Sequence, residues 1–200
     1  MKACWCATFL LLTASLLSAQ DFDDSVSRLI VGGSAGVFRI SHDDFKGVYG
    51  SRSAFLPSGH ALLKIKAPYN LIAKYRRFEK NATATINDMA TDLQWQQRFL
   101  NLGLRYVAYG ERRFTQFFGF GVSLMNIEES GPRSVVTTAG GKRDATGFYL
   151  EVGTDYRFMQ RAAIFFEVEI SSAGVEGKSA FEGTSVGGYY LALGMNLFVL

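Results

Sequence analysis

The segment GFYLEVGTDYRF, residues 147–158, alternates along its whole length. Phe148, Leu150, Val152, Thr154, Tyr156 and Phe158 share one parity, while Tyr149, Glu151, Gly153, Asp155 and Arg157 share the other. A period of two predicts an extended strand with one apolar and one charged face, because successive strand side chains point to opposite sides. After the short polar break MQRA, the run AIFFEVEIS sets Ile164, Phe166, Val168 and Ile170 against Phe165, Glu167 and Glu169. Two alternating runs across a short turn predict a hairpin. The last run, GGYYLALGMNLFVL, places Tyr189, Leu191, Leu193, Met195, Leu197 and Val199 on one face, opposite Tyr190, Ala192, Gly194, Asn196 and Phe198.

The pattern continues upstream. Leu100, Leu102, Leu104 and Tyr106 oppose Asn101, Gly103 and Arg105, and across a turn around Glu111–Arg113 the residues Phe118, Phe120, Val122 and Leu124 oppose Gly119, Gly121 and Ser123. Around Pro68–Asn70, Leu63 and Ile65 alternate with Lys64 and Lys66, then Leu71, Ala73 and Tyr75 with Lys74 and Arg76. The first run, RLIVGGSAGVFRI, carries Gly and Ser on both parities, so its faces are not assigned. Eight strands are expected, over 28–40, 60–67, 69–79, 93–109, 114–127, 145–158, 162–172 and 184–199. Their connections alternate: 41–59, 80–92, 128–144 and 173–183 are long, whereas 67–69, 110–113 and 159–161 are short.

A soluble sandwich has no reason to put every long connection at one end or to carry unbroken bulky rows on an outer face. A membrane barrel does both, with its apolar face toward lipid and its polar face toward the lumen. Composition agrees: 21 Gly, 17 Phe, 9 Tyr and only 3 Pro among 200 residues favour strands and turns. Beyond the first 20 residues no apolar run reaches the ~20 residues that a spanning helix needs. Any membrane passage must then be by a closed barrel, the other structure that satisfies its backbone hydrogen bonds in lipid.

The chain begins MKACWCATFLLLTASLLSAQ. Lys2, an apolar stretch over 3–17 and the small pair Ser18-Ala19 have the anatomy of a secretory signal peptide, removed near Ala19-Gln20. Both cysteines, Cys4 and Cys6, lie in this leader, so the exported chain would fold without disulfides. Loss of Lys2 takes the formal charge from +3 to +2, which excludes a strong nucleic-acid footprint. The expected organisation is a signal peptide over 1–19, a short acidic lead-in over 20–27 and one barrel over 28–200.

With these features the chain resembles the outer-membrane protein beta-barrel domain family, small eight-stranded barrels that include the transmembrane domain of outer-membrane protein A and the attachment–invasion proteins. The pattern that carries the resemblance includes YLEVGTDYRFMQRAAIFFEVEIS and the final strand-like run, and it covers nearly the whole exported chain. It implies an all-β, eight-stranded antiparallel up-and-down barrel in the bacterial (Gram-negative) outer membrane, with short periplasmic turns and long extracellular loops. Outer-membrane lipid and the envelope assembly machinery are its implied partners, and a monomer its implied state. Family members usually end on an aromatic residue read by that machinery, and this chain departs from the pattern in ending Phe198-Val199-Leu200.

In such a barrel, Lys64, Lys66, Lys74, Arg76, Arg105, Glu151, Asp155, Arg157, Glu167 and Glu169 are expected to face the lumen. Leu150, Val152, Ile164, Phe166, Val168, Leu191, Leu193 and Leu197 are expected to face lipid. The interior of eight strands is just wide enough to be filled by side chains. Charges there must pair or hold water, since unpaired buried charge is costly. A plug of salt bridges and a narrow ion path both fit that requirement. Cross-strand pairing of Glu167 or Glu169 with Arg157, or across the lumen with Arg105, Lys74 or Arg76, is expected.

Enzymatic readings find little. A lipid-modifying hydrolase or acyltransferase needs a nucleophilic Ser and a His held by an acid. The histidines are His42, in ISHDDF, and His60, and both are expected as solvated residues at the ends of the first long loop. Neighbours on an extended chain point apart, so Ser41, His42 and Asp43 do not make a triad. Zinc spacings, phosphate-binding glycine loops and dinucleotide fingerprints are lacking, and no cofactor is expected. Three functions follow: a structural or adhesin-like barrel that meets an extracellular surface partner through its loops, a porin-like narrow channel, and a lipid-modifying enzyme. The first is the primary expectation.

Overall fold

The structure is a computed structural model and describes residues 28–42, 45–86, 89–109, 113–130, 142–175 and 186–199. The expected leader, the lead-in, the acidic pair Asp43-Asp44 and Leu200 lie outside the described residues. The strands are β1 (Leu29–Ile40), β2 (Ser53–Lys66), β3 (Tyr69–Ile86), β4 (Met89–Tyr109), β5 (Phe114–Ser130), β6 (Lys142–Met159), β7 (Ala162–Val175) and β8 (Gly188–Phe198). Each pairs antiparallel with the next, and β1 pairs with β8 from Ile30↔Phe198 to Ile40↔Gly188, which closes the barrel. The eight-stranded up-and-down barrel expected from alternation is the observed fold. Closure leaves no free sheet edge around the wall.

The short connections 67–68, 110–113 and 160–161 share one end, here the short-turn end. The other, the loop end, differs from expectation. β3 and β4 run on to Ile86 and from Met89, paired as far as Ile86↔Met89, so the long connection expected at 80–92 shrinks to residues 87–88. β2 starts at Ser53 rather than 60, β5 continues to Ser130, and β6 starts at Lys142. The cause is physical. A row of bulky outward side chains marks a strand only where its outer face meets apolar surroundings; beyond them the same strand carries residues such as Glu79, Asn81 and Thr83 and reads as a loop. Pairing of β2 with β3 stops at Ser58↔Arg76, next to Pro57, which has no N–H to give a ladder. The β3–β4 hairpin therefore runs past its β2 neighbour. A one-turn helix, α1 (Phe45–Tyr49), occupies part of the 41–52 connection.

Alternation now has a spatial meaning. Leu150, Val152, Ile164, Phe166, Leu191, Leu193 and Leu197 are exposed on the outer face, and Val168 shares their parity but is half-buried. On β1, whose faces the sequence left open, Val31, Val37 and Arg39 point outward, and Ser34, Phe38 and Ile40 inward. At the loop end Phe38, Phe78, Phe99, Trp95 and Tyr190 pack with Phe45 and Tyr49 of α1 into one buried cluster. Toward the short-turn end, Val107, Phe117 and Phe165 form a smaller one. Charged residues lie between.

Candidate functional site

β3 and β7 are four strands apart in an eight-stranded ring, so their inward side chains meet from opposite walls. Lys74 on β3 reaches across, and its Nζ donates to Glu151 Oε2 at 2.6 Å, Glu167 Oε1 at 2.8 Å and Glu169 Oε2 at 3.0 Å. From β4, Arg105 Nε donates to Glu151 Oε1 at 2.6 Å and Nη2 to Glu167 Oε2 at 3.3 Å. Arg76 Nη2 is ion-paired to Glu169 Oε1, which also accepts from Asn101 Nδ2 at 2.9 Å. Ser123 Oγ in turn donates to Asn101 Oδ1 at 2.6 Å. All six charged side chains are at most 1% exposed. Three cations face three carboxylates, so the cluster carries no net formal charge. Balance and hydrogen bonding are what make such burial tolerable.

Rings complete the arginine shells. The Arg76 Cζ lies 4.6 Å from the Phe99 ring centre and 4.9 Å from that of Tyr190, and the Arg105 Cζ lies 4.0 Å from Phe117. Arg76 Nε and Nη1 and Arg105 Nη1 lack hydrogen-bond partners, and the adjoining ring faces supply cation–π contact instead. Glycine makes room for the acids: a Cβ on Gly119 would overlap the Glu151 carboxylate.

The structure brings together Lys74, Arg76, Arg105, Glu151, Glu167 and Glu169 of the residues expected in the lumen. The other four stand apart. Lys66 is exposed and Lys64 half-buried at the short-turn end, where a register shift between them breaks the alternation that would have turned Lys66 inward. Arg157 does not pair with Glu167, because the register sets Gly153 opposite Glu167 and Arg157 opposite Ala163. Four residues of strand separate the two positions by ~13 Å. The Arg157 Cζ instead lies 4.3 Å from the Phe198 ring centre. Asp155 accepts from Asn196 Nδ2 at 2.7 Å.

His60 corrects the expectation of solvated histidines. β2 begins seven residues before it, and it is buried in the barrel with its Nε2 2.7 Å from Asn196 Oδ1. A Cβ on Gly32 would collide with both partners. His42 is buried too, at 8% exposure. Asn101, Ser123, Asn196 and His60 take part without a formal charge, so the run of charged inward residues in the sequence does not point to them. Inward parity, legible for Asn101, Ser123 and Asn196, was their signal.

Similar folds are known. Neisserial surface protein A superposes with a TM-score of 0.60 at 14% identity, over 88% of this chain and 100% of that one. OprG, an outer-membrane protein of Pseudomonas aeruginosa, gives 0.62 at 14% identity, over 86% and 95%. Ail, the attachment invasion locus protein of Yersinia pestis in complex with the heparin analogue sucrose octasulfate, gives 0.50 at 12%, over 84% and 97%. This is the fold of the small eight-stranded outer-membrane barrels. No family model matches the chain, and no curated protein matches it by sequence.

Within this barrel the waist is built for cohesion. Carboxylate oxygens of Glu151, Glu167 and Glu169 lie within 4.8 Å of one another, a spacing that suits a cation, and the Lys74 ammonium contacts all three. The lysine thus does what a metal ion would do there. His60 meets Asn196 at Nε2 and the Phe165 ring, 5.2 Å away between centres, while its Nδ1 has no partner. That leaves His60 without the serine a hydrolytic triad requires.

Proposed function

We propose that this protein is a non-enzymatic barrel of the bacterial outer membrane, exported under a leader over residues 1–19 that is then removed, whose closed interior braces a scaffold for surface contacts. The observation that carries the reading is the self-neutralised waist beneath an aromatic core. An ion path needs charges or water along its length, whereas here the cross-section is occupied first by paired side chains and then by Phe38, Phe78 and Phe99. The outer face supports a lipid setting: Leu193 is 67% exposed and Phe55 72%, in continuous apolar rows that water would penalise. Leu150, Val152, Ile164, Phe166, Val168, Leu191, Leu193 and Leu197 belong to that lipid-facing wall.

The loop end then faces outward from the cell, and its β3–β4 hairpin stands beyond the strands beside it. An adhesin-like role for this hairpin and the loops is the finer part of the proposal. Ail's complex with a heparin analogue makes a sulfated saccharide a sensible first probe for it. Two measurements test the reading together. The membrane-extracted protein should give no steady conductance in planar bilayers, and cells displaying it should lose surface binding when residues 80–92 are replaced by a two-residue turn. Stable single-channel currents would favour the narrow-channel alternative and overturn the sealed-scaffold reading.

A further inference from the structure

The two ends of the barrel carry charge differently. At the loop end Glu79, Asp92, Glu128 and Asp144 stand among the basic residues, and Arg77 and Arg98 are ion-paired to Glu79 and Glu128. At the short-turn end Arg28, Lys66, Arg113 and Arg161 are exposed, and none of them forms an ion pair within the described residues. Lys64, half-buried beside them, already has a protein contact. Among the described residues the acid at this end is Asp155, which is held inside by Asn196.

These cations form one arc. The Arg157 N–H donates to the Arg113 carbonyl at 2.7 Å, and the Arg157 guanidinium lies over the Phe198 ring. The Phe198 N–H donates to the Arg161 carbonyl at 3.0 Å, and that of Val199 to the Leu29 carbonyl at 2.9 Å, next to Arg28. The Arg28 carbonyl accepts in turn from the Lys64 N–H at 2.9 Å, two residues before Lys66. The arc thus crosses six adjacent strands, from β5 through β8 and on to β1 and β2. Arg28, Arg113 and Arg161 stand just outside β1, β5 and β7, and Arg157 has inward parity. The charge therefore gathers on the end of the barrel and not on its lipid-facing wall.

We propose that this end is a docking surface for an acidic, extended peptide segment of a periplasmic protein. The inference rests on the outer-membrane reading above, which turns the short-turn end toward the periplasm. Arginine suits carboxylates because its paired N–H donors match both oxygens. Five gaps of ~4.8 Å between strands give an arc of ~24 Å, which about seven extended residues span at ~3.3 Å each. A lipid headgroup would instead be met by cations on the wall. The lead-in acids Asp21, Asp23 and Asp24 offset at most three of the five charges of Arg28, Lys66, Arg113, Arg157 and Arg161, which leaves two in excess.

The test varies the length of the acidic peptide. Fluorescently labelled tetra-, octa- and dodecaglutamate are titrated onto the membrane-extracted protein in a nonionic detergent, and binding is read by anisotropy. Octaglutamate should bind about tenfold more tightly than tetraglutamate, the gain from several further exposed ion pairs, and within about twofold of dodecaglutamate, because the arc is then filled. Arg113→Gln with Arg161→Gln should weaken octaglutamate about fivefold. Arg39→Gln with Lys46→Gln, the same loss of net charge at the loop end, should leave it unchanged. No binding by wild type, or equal weakening by both pairs, would overturn the surface. Binding that appears only when Asp21, Asp23 and Asp24 are changed to Asn would assign the arc to the chain's own lead-in and overturn an external partner. Displacement by millimolar dihexanoyl phosphatidylglycerol, but not by dihexanoyl phosphatidylcholine, would overturn a peptide in favour of a lipid headgroup. Gel migration with and without heating checks that each variant is folded, and the length series needs no variant. Failure to recover the protein from membranes at all would instead sink the outer-membrane reading, which binding in detergent does not test.

Discussion

Near the loop end, Phe38 meets Phe78 and Phe99 edge to face, with ring centres 5.2 and 5.1 Å apart. One layer away, six formal charges occupy the same kind of cross-section. Both layers fill the barrel, but they tolerate damage differently. An apolar core loses stability in proportion to the volume removed. The charged layer depends on a count: three against three. Removing any one member leaves a charge buried without compensation, whatever the size of the side chain lost.

The sharpest way to break this comparison is Lys74→Met, which keeps most of the volume and leaves three carboxylates with two cations. A loss of ~3–5 kcal/mol is expected in denaturant unfolding of the micelle-held barrel. Adding Glu167→Gln to the same chain should restore part of that loss, a coupling read from the double-mutant cycle. Glu167→Gln alone should destabilise clearly without creating conductance. If Lys74→Met were as mild as an aromatic trimming, the waist would not be the tight network of these contacts.

The next largest effect extends the contrast from the interior to the wall. Leu193→Arg should cost ~2–4 kcal/mol on folding into lipid vesicles, the penalty for arginine near the midplane of a barrel's lipid face. The inward neighbour change Ala192→Ser should cost far less. Equal penalties would contradict the assignment of the two faces.

Smaller effects calibrate the apolar layer and the periphery of the charged one. Phe78→Leu retains an apolar side chain in the aromatic cluster and should cost about 1.5 kcal/mol or less, measured in the same unfolding assay. Ser123→Ala removes the donor to Asn101 Oδ1 and should cost ~1 kcal/mol, with the ion pairs intact.

Alternation alone was enough to find all eight strands, and most strand ends fall where bulky outward residues stop. The ends that moved by three residues or more, at Ser53, Ile86, Met89, Ser130, Lys142, Val175 and Gly188, all lie at the loop end. There an alternating strand passes beyond its apolar belt and loses the contrast between faces that makes it legible. His60 shows the same limit from inside. Pro57 and Gly59 near it read as loop, yet cross-strand pairing with β1 carries the strand back to Ser53 and turns the imidazole inward toward Asn196.

For the charged residues, parity alone indicated that Lys74, Arg76, Arg105, Glu151, Glu167 and Glu169 share an interior, because the side of a strand depends only on counting by two. Which acid meets which base was not contained in that count. Partnership depends on register and on the reach of side chains across a closed ring. The register placed Arg157 opposite Ala163 and beside Phe198, away from Glu167, while closure brought Lys74 to three carboxylates on the far wall. Local periodicity set the faces of this protein; only the closed, staggered barrel chose the partners, since residues 77 to 95 positions apart become neighbours through pairings that no local segment encodes.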